Sequence, residues 1–219
     1  MSFDQRLYGF LFDPAAGVQS GLVQTLFSAQ EQSALESVQA SEMQLRQLAT
    51  QKINTSNPIN AIDLKVFEEG IANKLALLSS DEWRILGLGV ALLPFIGRIA
   101  RSMDGNFRRS IRTVLKEADI EALDALANDP ALESAKPTFQ APSIVWKNIE
   151  VVQAGGVSAT VEELCHWPQS IANRTLWKLK FTEQQVGPIV TGLQPQHIEV
   201  LCKTLLPNHP WLLSSSQTH

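Results

Sequence analysis

Ser79-Ser80-Asp81-Glu82-Trp83-Arg84-Ile85-Leu86-Gly87-Leu88-Gly89-Val90-Ala91-Leu92-Leu93-Pro94 opens with a helix start and closes with a helix stop. The Ser79 hydroxyl is spaced to accept the Glu82 amide, and Glu82 to reach back to the Ser79 amide, the pattern of a capping box. The apolar run Ile85 to Gly97 covers 13 residues, short of the roughly 20 that a membrane span requires. Glu82 and Arg84 precede it, and Arg98 and Arg101 follow. These features predict a buried core helix. Pro94 kinks or restarts it, and Phe95, Ile96, Ile99 and Met103 continue its apolar face.

Downstream, Asp104-Gly105-Asn106 is a break. A helix carrying Phe107, Ile111, Val114 and Leu115 follows, then a shorter one carrying Ile120, Leu123 and Leu126. Residues 128–143 hold Pro130, Pro137 and Pro142 without periodicity, which predicts a linker or long loop. Ile144 to Val152 fits a β-branched strand. It also fits a helix ending at Gly155-Gly156, and the helix is preferred. Further helices are expected from Pro168 through Trp177 and from Pro195 to Leu206, with Pro207 and Pro210 as terminators and Ser214 to His219 fraying.

Upstream, Leu22 to Lys52 lacks Pro and Gly, and Leu26, Leu35, Val38, Leu45 and Leu48 suggest one thin apolar stripe. One long helix, or two broken near Ser28, fits. Ser56-Asn57-Pro58 reads as a turn into a helix with Pro at its first position. That helix would carry Ile62, Val66, Ile71, Leu75 and Leu78, weakened at Gly70 by ~1 kcal/mol relative to Ala. Tyr8-Gly9-Phe10-Leu11-Phe12-Asp13-Pro14 reads as an extended or turning aromatic lead-in. No fixed-period repeat is visible. The expected fold is all-α, an irregular multi-helix bundle with room for one short strand pair in its C-terminal part. The expected division is a lead-in over 1–21, a helical region over 22–127, the linker, a helical region over 144–212 and a tail over 213–219.

Composition narrows the function classes. The 219 residues are 44% apolar and 18% charged with five Trp and nine Phe, enough for a core without disulfides or metals. A formal net charge of −4 argues against a dedicated nucleic-acid binder. Two cysteines, Cys165 and Cys202, form no disulfide framework and suit a reducing compartment. Met1-Ser2-Phe3-Asp4-Gln5-Arg6 has no basic start leading into an apolar run, so no secretory signal is expected.

The reactive side chains do not assemble into a known pattern. Cys165 and His166 are adjacent and point about 100° apart on a helix. A thiol–imidazole pair would need Cys165 with His197 or Cys202 with His166, and neither carries a catalytic signature. The same four residues lack paired zinc spacing. Gly87-Leu88-Gly89 lacks the third glycine of a dinucleotide loop, with Leu92 in its place, and sits in a helical pattern. Small residues that let another helix approach are the better explanation. Glu68-Glu69 and Glu162-Glu163 point to different helix sides and form no acid–base dyad. No catalysis, metal or cofactor is expected. One charge feature stands out: Arg98, Arg101, Arg108, Arg109, Arg112 and Lys116 face Asp104 alone within 98–116. Such a stripe meets solvent, an acidic protein or phosphate. Arg101, Arg108, Arg109 and Arg112 are the candidate contact residues, with Tyr8, Phe10 and Phe12 as a second candidate surface.

Phe12-Asp13-Pro14-Ala15-Ala16 matches the first part of a Phe-Asx-Pro-x-x-Tyr-x-His-Pro segment, with Gly17, Gln19 and Ser20 standing for the Tyr, His and Pro. Trp83 to Leu93, Arg98 to Arg112 and Ala118 to Leu126 run in the order apolar helix, basic stretch, acidic Leu/Ala-rich helix. Trp167 to Phe181 adds a Pro-initiated helix with a Leu/Lys-rich end. In these features, over about two-thirds of its length, the chain resembles the K component of bacterial type III secretion systems, the SctK family that includes YscK, PscK, OrgA and MxiK. The resemblance implies a non-enzymatic, all-helical adaptor of the cytosolic sorting platform, without cofactor. It would link the inner-membrane ring protein SctD to the pod protein SctQ, in an assembly that also holds SctL and the ATPase SctN. It also implies a cytoplasmic location, peripheral to the inner membrane, with neither membrane insertion nor nucleic-acid binding. The alternative reading is a helical regulator that binds nucleic acid through the basic 98–116 stretch.

Overall fold

The computed structural model describes residues 1–17, 23–96, 105–133, 137–140, 148–163, 167–179 and 186–213. Over these the chain is all-α with one short antiparallel strand pair. The helices are α1 Phe3–Phe12, α2 Ala29–Ser37, α3 Glu42–Ser56, α4 Gly70–Leu75, α5 Ser80–Leu92, α6 Gly105–Arg112, α7 Glu117–Ala125, α8 Pro130–Glu133, α9 Ile149–Glu163, α10 Gln169–Leu179 and α11 Pro195–Leu205. Strand β1 Thr138–Phe139 pairs with β2 Val190–Thr191, Thr138 opposite Thr191 and Phe139 opposite Val190. No helix among the described residues is long and apolar enough to cross a membrane.

Two compact units share the chain: Met1–Ser80 with Trp167–Glu183, and Asp81–His166 with Gln184–His219. This differs from the linear division expected from composition. Residues 128–143 lie within the second unit and contribute α8 and β1, whereas 167–183, expected in a C-terminal region, belong to the first unit. Composition reports local breaks, but unit membership follows burial partners far away in sequence.

In the first unit the aromatic segment is helical, not extended. Ser2 caps α1 by accepting the Gln5 amide at 3.3 Å, and the Gln5 side chain accepts the Ser2 amide at 3.0 Å. This Ser-x-x-Gln box outweighs the Gly and aromatic content of the segment. The Leu22–Lys52 stretch breaks twice. Ser28 caps α2 and Ser41 caps α3, each in a reciprocal box with the residue three positions on. The five-residue stripe therefore does not share one face. Leu26 is buried and Leu35 and Leu45 pack against the cluster of Ala15, Val23, Phe27, Ala49 and Ile53. Val38 and Leu48 are exposed. The single helix expected after Pro58 is instead a set of short turns, Ile59–Ala61 and Leu64–Phe67, followed by α4. Asp63 accepts the Lys65 amide at 3.0 Å and Gly70 sits at φ +69°, a left-handed value that a glycine adopts at little cost.

One ion pair fastens α2 to α3. Glu31 accepts the Ser28 amide at 2.6 Å and the Lys52 ammonium at 2.6 Å. The Lys52 and Ser28 hydrogen bonds hold its carboxyl down at about 2, from an ordinary 4.5. A lowered carboxyl pKa stabilises the folded form above the unfolded value, and that contribution is lost as pH falls through the folded value. Protection of the α2 amides is therefore expected to decline between pH 4.5 and about 2. The decline should be absent in Glu31→Gln, which is uniformly less protected at neutral pH. Hydrogen exchange of both proteins across that range checks this.

In the second unit α5 is the central element. Trp83, Leu86, Leu88, Val90, Ala91 and Leu92 are all buried. Residues two apart on a helix project about 200° apart, so Gly87 and Gly89 open opposite sides. A Cβ on Gly87 would stand 2.5 Å from the Gln153 carbonyl oxygen of α9, and one on Gly89 2.5 Å from Leu205 Cδ1 of α11. The two glycines thus admit one neighbouring helix each, as the reading of small residues anticipated. The helix ends at Leu92, and Pro94 tightens the chain into a turn over Leu93–Phe95. The helix reading holds for Ile149 to Val152, while Ile144 to Lys147 lie outside the described residues. Gly155-Gly156 does not end α9. Both sit mid-helix, where Gly156 backs onto the Gly87 backbone and Gly155 onto Ile189. Ser214 to His219 also lie outside the described residues.

Candidate interaction surfaces

On α1, Phe10 is 1% exposed, while Tyr8 is 64% and Phe12 50% exposed. Tyr8 and Phe12 are one helical turn apart, and their rings meet at 4.8 Å between centroids with a 34° tilt. Phe10 is removed from the candidate surface, because helical rather than extended geometry turns it inward. It packs edge-on against Phe67 at 5.8 Å. The outward pair is a compact aromatic patch of the type that anchors interfaces.

Arg174 on α10 fixes this helix from below. Its guanidinium is 1% exposed and donates to the Phe10 and Leu11 carbonyls, both at 3.0 Å. It also donates to Asn54 Oδ1 at 3.0 Å and to the Asn57 carbonyl at 2.5 Å. Three of these acceptors are main-chain carbonyls at the C-terminal ends of α1 and α3, where unpaired carbonyls gather and the helix dipole is negative. Burial lowers the Arg174 pKa below the usual arginine value. The sequence reading passed over Arg174, since a lone arginine in an amphipathic helix reads as surface.

The basic stripe resolves into individual roles. Arg101 lies outside the described residues, and Arg108 has a described backbone position on α6 only. Arg109 is exposed and folds back on its own helix, with Nε donating to the Gly105 carbonyl at 3.0 Å and Nη2 to Asn106 Oδ1 at 3.2 Å. Arg112 is paired with Glu117 across the α6–α7 turn, through Nε to Oε2 at 2.7 Å and Nη2 to Oε1 at 3.0 Å. That bidentate pair raises the Arg112 pKa and neutralises part of the stripe. The Tyr8–Phe12 patch and the arginines belong to different units.

The reactive groups are placed as follows. Cys165 and His166 lie outside the described residues. Cys202 is 1% exposed on α11, and its thiol is pushed up to about 12 by burial first and the Glu199 charge second. A thiol so raised stays protonated at neutral pH and is a poor nucleophile. His197, also buried, accepts the Gln194 amide at Nδ1 over 3.0 Å and so caps α11. Among the described residues no group of three or more His, Cys, Asp and Glu is arranged to hold a metal ion.

No known protein family, curated protein or solved structure matches this chain.

Proposed function

We propose that this chain is a non-catalytic adaptor of the cytosolic sorting platform of a type III secretion injectisome. In this reading it is an SctK-type protein that joins an SctD-type ring protein to an SctQ-type pod protein beneath the inner membrane, within a platform that also holds SctL and SctN. One observation supports it: an apolar helix opening near Trp83, a basic stretch and an acidic Leu/Ala-rich helix follow one another, here as α5, α6 and α7 of one unit. The adaptor works by presenting separate docking faces on helical supports. The Tyr8–Phe12 pair is one face, and α6 with Arg108 and Arg109 is the other. The Arg112–Glu117 pair leaves fewer cations to release counterions from phosphates, which favours an acidic protein face over nucleic acid.

Pairwise affinities with SctD-type and SctQ-type partners test this. Arg108→Glu/Arg109→Glu and Tyr8→Ala/Phe12→Ala are each expected to weaken one interaction by about 30-fold, the scale of an interface anchor. Each should leave the other interaction and the circular dichroism spectrum unchanged. Wild-type affinity of both double variants for both partners rejects the proposal. Retention of nucleic acid by the wild-type chain at ~150 mM salt favours the alternative reading.

A further inference from the structure

The turn joining α2 to α3 carries features that neither docking face uses. Helix α2 buries none of its residues. Val38, its C-cap, is 71% exposed and Met43, in the first turn of α3, is 66% exposed. Between these two positions Gln39 holds φ at 50°, a left-handed conformation that is strained for a non-glycine residue. Beside the turn lies a cavity of about 100 Å³ with Phe27, Leu35 and Leu45 among its walls and Gln32, Glu36 and Gln39 among its polar residues. A closed apolar hole of about 150 Å³ admits a benzene ring; this smaller, open one, with mixed polar and apolar walls, has room for one small aliphatic side chain.

The polar groups around the cavity specify the neighbour of that side chain. Glu31 is committed to Lys52 and Glu42 to Arg46, whereas Glu36 makes no ion pair among the described residues. The Gln32 amide nitrogen donates to the Gln24 and Phe27 carbonyls, at 2.8 and 3.0 Å, which leaves its oxygen as an acceptor. Both groups accept hydrogen bonds, and the charge on the Glu36 carboxylate favours a cationic donor. The turn's own amides are spent, Gln39 on the Glu36 carbonyl at 3.1 Å and Ala40 on the Leu35 carbonyl at 3.2 Å. An extended peptide therefore finds no strand edge here. Recognition has to run through side chains, the mode of an amphipathic helix laid against an apolar groove. A second copy paired through the same patch about a two-fold axis would bring Glu36 near its equivalent, and like charges disfavour that.

We propose that the α2–α3 turn docks an amphipathic helix of a partner protein, with one aliphatic anchor in the cavity and a lysine or arginine beside it against Glu36. This site stands independently of the secretion reading and of the two faces assigned above.

The test is an NMR titration of the full chain at ~150 mM salt with three helical peptides of about 25 residues, well above the ~12–15 at which isolated helices are marginal. One is built from Leu and Lys, one from Leu and Glu, and one from Ala and Lys, which keeps the helix but removes the large aliphatic anchor. The Leu/Lys peptide is expected to shift amides within 24–45, and to bind about tenfold tighter than either counterpart. Glu36→Lys should reverse the preference toward the Leu/Glu peptide. Val38→Ser/Met43→Ser, both at exposed positions, should weaken Leu/Lys binding by about tenfold with an unchanged circular dichroism spectrum. Binding that maps elsewhere, no binding, or a charge preference indifferent to Glu36→Lys overturns the proposal. So does concentration-dependent self-association in sedimentation that Val38→Ser/Met43→Ser abolishes, which would make the turn a contact between copies.

Discussion

Gly156→Ala is expected to lower the melting temperature by about 5–10 °C, and to reduce amide protection most in α5 and α9. The added Cβ would collide with the Gly87 carbonyl oxygen and also crowd Gly87 C and Cα. These are main-chain atoms of α5, so no rotamer change relieves the overlap. Overpacking a filled core costs about 1–3 kcal/mol and sometimes more, and backbone-on-backbone contact belongs at the upper end. The better helix propensity of Ala returns about 1 kcal/mol, leaving a net loss near 2–3 kcal/mol. For a chain of this length each kcal/mol shifts the midpoint by about 2–4 °C. Gly9→Ala is the control. Gly9 also lies within a helix, α1, but a Cβ there meets nothing within 4 Å. Only the propensity term acts, and a rise in stability of up to about 1 kcal/mol follows. Calorimetry with hydrogen exchange on both variants checks the pair. Equal stabilisation by the two would mean that α5 and α9 do not cross at these glycines.

Arg174→Met should cost about 3–5 kcal/mol in urea unfolding, the scale expected when several buried acceptors lose their donor at once. The stabilisation does not come from an ion pair, since the guanidinium's acceptors are three main-chain carbonyls and one amide oxygen. Methionine fills much of the volume but supplies no donor. Each buried acceptor left without a partner costs about 1–3 kcal/mol, and partial access of water recovers some of that. Arg174→Lys tests the geometry. Its ammonium keeps the charge but cannot span the four acceptors from one point, so a loss of about 2 kcal/mol is expected. The order arginine, lysine, methionine in stability, with exchange rising at the C-terminal ends of α1 and α3, is the signature. Methionine as stable as arginine would mean that those carbonyls find other donors. Loosening α1 should also blur the Tyr8–Phe12 patch, which connects this fold element to the docking role proposed for it.

The local signals were legible because their causes are local. The capping pattern at Ser79 places a helix start and Pro94 a kink or restart, and α5 spans the 13 residues Ser80–Leu92 between them. Pro195 at the head of α11 has the same origin, whereas Gly105 and Asn106, expected in a break, begin α6, and Asp104 lies outside the described residues. The start of α1 is local as well: Ser2 and Gln5 form a capping box, and its hydrogen bonds outweigh the glycine and aromatic content that favours an extended segment.

What the sequence by itself determined is the helical class, the starts of α5, α10 and α11, and the need of Gly87 and Gly89 for close neighbours. All three depend on residues within one or two turns of each other, where propensity, capping and periodicity act. Only the tertiary structure decided which helices those glycines admit, and that Phe10 faces in while Tyr8 and Phe12 face out. It also decided that Arg112 belongs to Glu117 and that Arg174, 120 residues from Asn54, closes the ends of two helices. The Arg112–Glu117 pair spans only five residues, and its geometry is set by the α6–α7 turn; the other outcomes rest on contacts between segments far apart in the chain, whose partners no window of sequence contains together.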